Sequence, residues 1–364
     1  MKKLGIDARL INQTGVGTYL KNLLYFLEKI LPEDIELNVY LRSVDQNKIN
    51  FFKKNIHKKI ADYHWHSLNE QLGFLIQLCR DRLDLMHFTY FSLPLFYPGK
   101  FITTIHDLIP WMYKTGKAST HNRWFYEIKY LFYKLIILNQ VKRAVQIITP
   151  TQAVKNDLLR IFGNQLDSKV KVIHEGVNYL LKEVMPNNSL KEKYRDGYFL
   201  YVGNFYPHKN IEMLVKAFKK LKNERLILVG PKDYFSQKII NLVNELGLEK
   251  QIIFIVGADL ADIRYLYEHC RALIHPSLAE GFGLPIIEAM YFKKPIIASR
   301  ISPFQEIIGK NYFPFDPQQE KSLLENIQEL VNKKIITVDY GDFENEFSFQ
   351  KMASETLKIY EKKS

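Results

Sequence analysis

Short apolar runs alternate with stretches of helical periodicity along the whole chain, and this alternation constrains the fold more than any other feature. In the first half, Leu4–Asp7, Glu36–Tyr40 and Phe101–Ile105 have the length of buried strands. Between such runs, Gly17–Ile30 and Gln152–Phe162 repeat their apolar residues at helical spacing. Strands separated by helices are joined by crossovers, which make the strands parallel. The first half is therefore predicted to be a doubly wound α/β domain.

The same pattern restarts after the polar stretch Glu183–Asp196. Strand-length runs such as Tyr198–Gly203 and Ala272–His275 again lead into helical stretches. A length of 364 residues also suits two domains better than one. We predict two Rossmann-like α/β domains, 1–182 and 183–346, and a last helix in 347–364.

Composition narrows the partners that the chain can have. The two cysteines, Cys79 and Cys270, are too few and too far apart for a disulfide framework, which favours a reducing, cytoplasmic location. Residues 1–150 carry 21 Lys and Arg against 12 Asp and Glu, so most of the net charge of +12 lies in the first half. Anionic lipid, a phosphate-bearing substrate, nucleic acid or merely a lysine-rich composition would each account for that excess.

The segment His275–Met290 carries the strongest chemical signal. A strand ends at His275, a glycine-bearing loop follows, and Pro285 suits the first turn of the next helix, whose N-terminus is an anion site. If the segment were fully helical, Glu280 and Glu288 would lie roughly 12 Å apart. A glycosidase pair needs about 5–9.5 Å, so this spacing instead suits a long ligand with hydroxyls at its ends and an anionic middle, such as a sugar nucleotide.

The eleven residues from Glu280 to Met290, Glu-Gly-Phe-Gly-Leu-Pro-Ile-Ile-Glu-Ala-Met, resemble the signature of retaining glycosyltransferase family 4. The resemblance implies a GT-B fold, in which two doubly wound Rossmann-like domains face each other across a cleft. It also implies that the last helix, in 347–364, crosses back to the first domain. It implies that Glu288 binds the ribose hydroxyls and that Glu280 lies beside the donor hexose. It also implies a donor-binding role, facing the sugar and the diphosphate, for the backbone amides of Phe282, Gly283 and Leu284.

Two further loops follow predicted strands and resemble elements of the same family. The first is Gly203–Asn210, where the resemblance implies that Lys209 is the cation beside the departing diphosphate. Many family members have arginine where this chain has Asn204. Lys209 is therefore expected to be the main cation, aided by His208. Near the start, Gly15 and Gly17 resemble the family's Thr-Gly-x-Gly loop and are assigned to donor binding. They do not complete the dinucleotide fingerprint G-x-G-x-x-G.

The remaining candidates lie in the first half. His106, at a strand end, resembles the histidine of the family's His-Asp-x-x-Pro element, which contacts the transferred sugar, and Asp107 is placed near the acceptor. His87 is expected to line the acceptor side. The alternative for His106 is a histidine that serves only to stabilise a turn.

The resemblance predicts transfer of a hexose from a nucleotide sugar to a glycan or lipid-linked acceptor. The start of the chain and the Glu280 segment look most like bacterial mannosyltransferases of surface-polysaccharide assembly, so GDP-mannose is the first candidate donor and a UDP-sugar the second. No Asp-x-Asp triplet occurs in the sequence. We therefore expect no metal and no cofactor, with Lys209 and helix N–H groups in place of the ion.

Membrane contact is a separate expectation. The segment Asn122–Arg143 mixes aromatic residues with lysines and arginines in the basic half. Such a helix either lies on an anionic membrane surface or packs as a core helix of the first domain. The first alternative makes the protein peripheral on the inner face of the plasma membrane.

Other functions fit less well. A sugar phosphorylase shares the architecture but needs a pyridoxal-phosphate lysine and a much longer chain. A nucleic-acid-binding protein would suit the charge, but no common recognition motif is present. A nucleotide-sugar-binding protein without catalysis and an epimerase-like GT-B protein stay as alternatives, and the pair Glu280 and Glu288 argues against the epimerase.

Overall fold

The order of the strands in each sheet determines which of the loops that follow the strands lie next to each other. The computed structural model describes residues 1–112, 123–194, 197–334 and 337–364. The chain divides into two compact units: the first contains residues 1–176 and 346–364, and the second contains residues 177–345.

The first unit is built on a seven-stranded parallel sheet with the order β3-β2-β1-β4-β5-β6-β7. Its strands are β1 Lys2–Asp7, β2 Ile35–Leu41, β3 Ile56–Ile60, β4 Leu85–Phe88, β5 Phe101–Thr104, β6 Gln146–Thr149 and β7 Val170–Val172. Its helices before the second unit are α1 Gly15–Ile30, α2 Leu75–Asp81, α3 Ile109–Met112, α4 Arg123–Arg143 and α5 Gln152–Phe162. Parallel strands covered on both faces need apolar side chains on both, and the consecutive residues Ile147 and Ile148 of β6, which point to opposite faces, are accordingly both buried.

The second unit is built on a six-stranded parallel sheet with the order β10-β9-β8-β11-β12-β13. Its strands are β8 Tyr198–Val202, β9 Arg225–Gly230, β10 Ile252–Val256, β11 Ala272–His275, β12 Ile296–Ser299 and β13 Phe313–Phe315. Its helices are α6 Tyr179–Glu183, α7 Ile211–Phe218, α8 Tyr234–Glu245, α9 Leu260–His269, α10 Leu284–Tyr291, α11 Ser302–Ile308 and α12 Glu320–Lys333. Strand order reverses between β8 and β11, and ligands of such sheets bind at that reversal, beyond the carboxyl ends of the strands.

The chain ends in α13, Phe349–Lys363, which belongs to the first unit and packs against α1. The expected boundary after residue 182 lies a few residues beyond the one that the contacts define. Arg264 of α9 explains the difference, because its Nη1 donates to the carbonyl oxygens of Lys182, at 2.6 Å, and Val184, at 3.0 Å, and so ties the segment around α6 to the second unit.

Two doubly wound α/β sheets confirm the predicted fold class. The first helix differs in detail, because α1 begins at Gly15 and not at Gly17. Both glycines therefore lie in the first helical turn and not in the loop before it. Of the predicted surface helix, Asn122 lies outside the described residues, as do the side chains of the aromatic run that starts at Trp124.

Candidate active site

The loops after β8 and β11 touch at the strand-order reversal of the second unit. The backbone N–H of Leu278 donates to the carbonyl oxygen of His208 at 2.7 Å. Pro207–Lys209 forms a single helical turn, which ends at Asn210, a non-glycine residue with φ of 59°. The Asn210 side chain donates to the carbonyl oxygen of Pro317 at 2.9 Å and holds this backbone in place. The local fold thus fixes the position of Lys209 before α7 begins.

Lys209 and Glu280 form a buried ion pair between these two loops. Lys209 Nζ lies 2.5 Å from Glu280 Oε1, and the two side chains are only 13% and 9% exposed. Ser277 Oγ donates to the same oxygen at 2.8 Å, and His275 Nε2 lies 3.2 Å from it. Burial raises the pKa of Glu280, but Lys209 and His275 lower it by more, so the net pKa lies well below the usual range. The Glu280 carboxylate is therefore charged at neutral pH.

In the loop after β8, Asn204 Oδ1 and His208 Nδ1 are buried and have no hydrogen-bond partner among the described residues. Burial, followed by the charge of Lys209, lowers the pKa of His208 to about 4, so its ring is neutral at pH 7. A buried polar atom without a partner costs about 1–3 kcal/mol, and proteins rarely keep such atoms without a reason. Both atoms are suited to a hydroxyl or phosphate group of a ligand.

Gly283, the residue before α10, has a backbone conformation that other residues rarely adopt. Its φ is 107°, and a Cβ there would come 2.7 Å from a carbon of the Phe304 ring. Pro285 occupies the first turn of α10, which suits its fixed φ and its missing N–H. The Phe282 side chain is buried in the core. Leu284 is the first helical residue.

Glu288 lies on α10 in an environment opposite to that of Glu280. Tyr267 Oη donates to Glu288 Oε2 at 2.8 Å, and the Tyr267 ring stacks on Phe292 with centroids 5.4 Å apart. Burial raises the pKa of Glu288 to about 7, although the hydrogen bond from Tyr267 opposes that rise. Near neutral pH the side chain is therefore present in both protonation states.

In the first unit, His106 follows β5 and uses both ring nitrogens. Its Nδ1 lies 3.1 Å from Glu175 Oε1, and its Nε2 lies 3.1 Å from the carbonyl oxygen of Thr89. The Tyr19 ring of α1 packs edge-on against the imidazole, with centroids 4.7 Å apart. Asp107, the next residue, accepts a hydrogen bond from the backbone N–H of Ile109 at 2.8 Å and so caps α3.

The expected acceptor-side role of His87 is not compatible with its position. The residue is 0% exposed on β4. Its Nδ1 lies 2.7 Å from Tyr360 Oη and its Nε2 lies 2.8 Å from Thr104 Oγ1, so both nitrogens are used inside the protein. Burial, and after it the nearby charge of His106, lower the pKa of His87 to about 3. His87 is a neutral core histidine that ties α13 to the sheet.

The two glycines near the start of the chain differ from each other. A Cβ on Gly17 would come 2.5 Å from the carbonyl oxygen of Ile11, so Gly17 lets α1 pack closely against the loop after β1. Gly15 has no atom within 4 Å of such a Cβ. Only the space beside Gly15 is open to an incoming group.

Metal-binding geometry is missing from the part of the chain that the structure describes. No group of three or more His, Cys, Asp or Glu side chains in those residues is arranged to hold an ion. Likewise, no helix within the described ranges is long and apolar enough to cross a membrane.

The structure brings together several residues that sequence reasoning did not select. Ser277 and His275 contact Glu280, Tyr267 contacts Glu288, and Glu175 contacts His106. His275 and Ser277 could have been found, because they lie at a strand end within the segment already chosen. Tyr267 and Glu175 could not, since each is distant in sequence from its partner and only the fold makes them neighbours.

Solved structures share this architecture over the whole chain. Sucrose-phosphate synthase from Thermosynechococcus elongatus superimposes with a TM-score of 0.79 at 18% identity, covering 100% of this chain and 99% of that one. Anabaena HepE, solved in complex with UDP and glucose, superimposes with a TM-score of 0.75 at 16% identity and covers 100% of both chains. At such identities the likeness concerns the fold, and it confirms the GT-B prediction.

Sequence comparison identifies the family. The O-antigen chain mannosyltransferase RfbU of Salmonella typhimurium is 29% identical to this chain over 240 residues. The match covers 64% of this chain and 65% of RfbU, so the chain spans a little less than two thirds of the length of RfbU. Residues 14–179 match the family model Glycosyltransferase Family 4, and residues 186–345 match the model Glycosyl transferases group 1. The chain therefore belongs to the glycosyltransferases in which a Family 4 domain precedes a group 1 domain.

Proposed function

We propose that this protein is a retaining, metal-independent glycosyltransferase that moves a hexose from a nucleotide sugar to a glycan or lipid-linked acceptor. The observation that carries the proposal is the buried pair of Lys209 and Glu280 at the strand-order reversal, with Asn204 Oδ1 and His208 Nδ1 unpartnered among the described residues in the loop after β8. A charged pair and polar atoms that lack partners are suited to a ligand that is both charged and rich in hydroxyls.

The roles follow from charge and burial. Lys209 supplies a cation to the diphosphate as it leaves, and the amides that start α10 supply further positive potential. Glu280 accepts hydrogen bonds from the hexose, while Glu288 accepts them from the ribose. Asn204 and His208 complete the donor site. From the first unit, His106 contacts the transferred sugar, Asp107 lies towards the acceptor, and Gly15 leaves room for the donor.

The proposed reaction keeps the donor's anomeric configuration. The bond between the anomeric carbon and the phosphate oxygen breaks first, leaving an oxocarbenium-like sugar. The acceptor hydroxyl then attacks from the same face and forms the new glycosidic bond, and its proton passes to the departing phosphate oxygen. An α-linked product from an α-linked donor, seen by NMR, supports this scheme, and a β-linked product refutes it. Activity that EDTA abolishes and magnesium restores would overturn metal independence.

The main test replaces Lys209. Lys209→Ala should lower turnover roughly 10²–10³-fold, as does the loss of one preorganised donor at a developing negative charge. Lys216→Ala is the matched control, because Lys216 is an exposed lysine on α7, shortly after the same loop, and should retain full activity. A Lys209→Ala variant with unchanged turnover would contradict the assignment. A protein that binds nucleotide sugars and never transfers a hexose would instead be the non-catalytic alternative.

We further propose mannose as the hexose and GDP-mannose as the first donor to test. RfbU, which is 29% identical to this chain over 64% of its length, is named a mannosyltransferase. HepE was solved with UDP and glucose, so UDP-sugars come second. A ligand that binds only the folded protein raises its unfolding temperature. A larger shift with UDP than with GDP would reverse the order of these donors.

Peripheral contact with the inner face of the plasma membrane completes the proposal. Leu131, Leu135 and Leu138 recur at helical spacing on α4 and are 60%, 46% and 46% exposed, while Ile136 and Ile137 are buried. Lys142 follows on the same face as the three leucines. Vesicles that contain anionic lipid should bind the protein, and neutral vesicles should not. Replacement of the three leucines by serine should abolish that binding, and binding that persists would assign it elsewhere.

A further inference from the structure

Arg42, the residue after β2, is a half-buried arginine whose guanidinium has no partner among the described residues. Its Nε is buried without a hydrogen bond, and no acidic side chain of those residues lies within ion-pair distance of it. Two other arginines of the first unit that are not exposed use their nitrogens inside the protein. Arg9 Nη2 lies 2.6 Å from Asp7 Oδ2, and Arg143 Nη1 donates to the carbonyl oxygen of Leu95 at 3.0 Å. Arginines removed from solvent are ordinarily paired, so the unpaired Arg42 needs a reason.

Arg9 ties the loop after β3 across the carboxyl end of β2. Its Nη1 donates to the carbonyl oxygen of Tyr63 at 3.0 Å, and its Nη2 donates to Glu70 Oε1 at 2.8 Å. Because β2 lies between β1 and β3 in the sheet, this bridge passes the point where β2 ends and Arg42 follows. The bridge starts beside the strand-order reversal between β1 and β4, and ligands of such sheets bind at the reversal.

Arg42 leaves the sheet on the face where this bridge lies. Tyr40, two residues earlier, packs against Phe74 with ring centroids 5.5 Å apart, and Arg9 Cζ lies 4.1 Å from the centre of the same Phe74 ring. Side chains two residues apart in extended backbone point to one face of a sheet, and Arg42 is extended, with φ of −73° and ψ of 149°. The unpaired guanidinium is therefore on the same side of the sheet as Arg9.

The loop after β3 also carries a stacked aromatic pair. His64 is exposed and stacks on Trp65, with ring centroids 4.1 Å apart and an interplanar angle of 26°. Ser67 Oγ donates to the carbonyl oxygen of His64 at 2.6 Å, and the backbone N–H of His66 donates to Glu70 Oε2 at 2.8 Å. His66 has a φ of 61°, a strained conformation that clusters at ligand sites. The fold thus holds the aromatic pair in a fixed loop.

Acidic side chains near Arg42 are engaged by other groups. Asp62 accepts from the backbone N–H of Ser43 at 2.8 Å and from its hydroxyl at 3.0 Å, and Glu70 pairs with Arg9 at 2.8 Å. Arg42 therefore keeps its positive charge without a counter-ion among the described residues. An arginine binds the oxygens of a phosphate or a carboxylate with charge-assisted hydrogen bonds. Aromatic rings pack against the apolar face of a sugar ring.

We propose that Arg42 and the pair of His64 and Trp65 form a binding site for a saccharide that carries an anionic group, either a phosphate ester or a carboxylate. Arg42 donates to the anionic group, and the sugar ring packs on the aromatic pair. Within the proposed function this saccharide is the acceptor. That assignment rests on the proposed function, whereas the binding itself does not.

Binding can be measured on the full chain without a donor. The probes are mannose 1-phosphate, glucuronic acid and the neutral methyl α-mannoside, and tryptophan emission reports binding because Trp65 is one of three tryptophans. At least one anionic probe should bind saturably, and methyl α-mannoside should bind at least about tenfold more weakly, because it lacks the charged acceptor. The anionic probe that binds more tightly identifies the group as phosphate or carboxylate. No saturable binding of either anionic probe, or equal affinity for the neutral one, overturns the proposal.

Replacement of Arg42 tests the residue itself. Arg42→Met should weaken binding of the anionic probe about 10- to 100-fold, the range for a lost hydrogen bond to a charged group. It should not lower the unfolding temperature, because the guanidinium has no partner inside the protein. Arg80→Met is the matched control, since Arg80 is an exposed arginine of α2 in the same unit, and it should bind as the unaltered protein does. Trp65→Phe should remove the change in emission.

Two results with these variants would contradict the site. Unchanged affinity in Arg42→Met overturns the proposal. A lower unfolding temperature in Arg42→Met than in Arg80→Met overturns it as well, because the guanidinium would then serve the structure and not a ligand.

Lys209→Ala separates this site from the donor site. It should bind the anionic probe as the unaltered protein does, and loss of binding in Lys209→Ala alone would place the probe in the donor site and overturn the proposal. A protein that binds the probe through Arg42 and transfers no hexose would support the site and refute the proposed function. Hexose transfer by a protein whose probe binding ignores Arg42→Met would keep the function and refute the site.

Discussion

At the scale of single residues, the two glutamates of the second unit have opposite ionisation behaviour for identifiable reasons. Glu280 is paired with Lys209, and this pairing outweighs the cost of burial and holds its pKa below the usual range. Glu288 has only the hydroxyl of Tyr267 as a described partner, so burial dominates and raises its pKa to about 7. One carboxyl group is a permanent acceptor, and the other is an acceptor only when it is deprotonated.

Nucleotide affinity should therefore depend on pH through Glu288. Its ionised form accepts hydrogen bonds from both ribose hydroxyls, whereas the protonated form must first lose its proton. Below a pKa of about 7, affinity should rise up to about tenfold per pH unit and then level off above it. Calorimetric titration with the nucleotide at several pH values between about 6 and 8 measures this dependence.

The control for that experiment is Glu288→Gln, which has no proton to lose. Above pH 7 the variant should bind the nucleotide more weakly than the unaltered protein, by about 1–3 kcal/mol. Any pH dependence of the affinity that the variant still shows is caused by titration of the nucleotide's own phosphates. If the variant follows the same pH curve as the unaltered protein, Glu288 is not the titrating group at the ribose.

At the scale of elements, the strand–loop–helix unit from β11 to α10 depends on one backbone conformation. Gly283 combines a φ of 107° with a position where a Cβ would lie 2.7 Å from the Phe304 ring. Gly247, just after the end of α8, also has positive φ, at 67°, but a Cβ there would meet no atom within 4 Å. A comparison of alanine substitutions at the two glycines therefore separates the free-energy cost of backbone strain from that of the steric conflict with Phe304.

Gly283→Ala should cost more stability than Gly247→Ala. Both variants bear the strain of a left-handed alanine, about 1–3 kcal/mol, and the first must also displace Phe304. Thermal unfolding measures the difference, and nucleotide titration should show weaker binding for Gly283→Ala alone, because α10 begins at the proposed diphosphate site. Equal losses of stability in the two variants would mean that Phe304 moves aside freely.

How much of each element could be predicted depended on whether the information was local. Apolar periodicity is local, so the strands around Lys209 and Glu280 and the loops between strand and helix were predicted correctly. The start of α1 was wrong by two residues, because Gly15 and Gly17 read as a loop although both fit a helical turn. His87 was misjudged because its partners, Thr104 and Tyr360, are supplied by the fold and not by the neighbouring sequence.

At the scale of the whole molecule, α13 is part of the first unit although 169 residues of the second unit, 177–345, come before its segment in the chain. Tyr360 Oη reaches the buried His87 ring at 2.7 Å, and Lys2 Nζ donates to the carbonyl oxygen of Glu361 at 2.9 Å. A first unit without this helix would expose the face of α1 that α13 covers.

Tyr360→Phe should destabilise the first unit by about 1–3 kcal/mol, because it leaves Nδ1 of the buried His87 without its partner. The double variant with His87→Leu removes both polar groups and should recover part of that loss. Denaturant unfolding of the single and double variants measures the coupling between the two residues. Additive losses in the double variant would show that the hydrogen bond contributes nothing to stability.

The return of α13 also sets an order of events during synthesis on the ribosome. Residues 177–345 form an uninterrupted segment, so the second unit has its whole sequence available before residues 346–364 are translated. The first unit, although it is translated first, lacks the covering of α1 until the last helix emerges, and domains fold as units once their sequence is available. The half of the protein that is made first is therefore the half that is finished last.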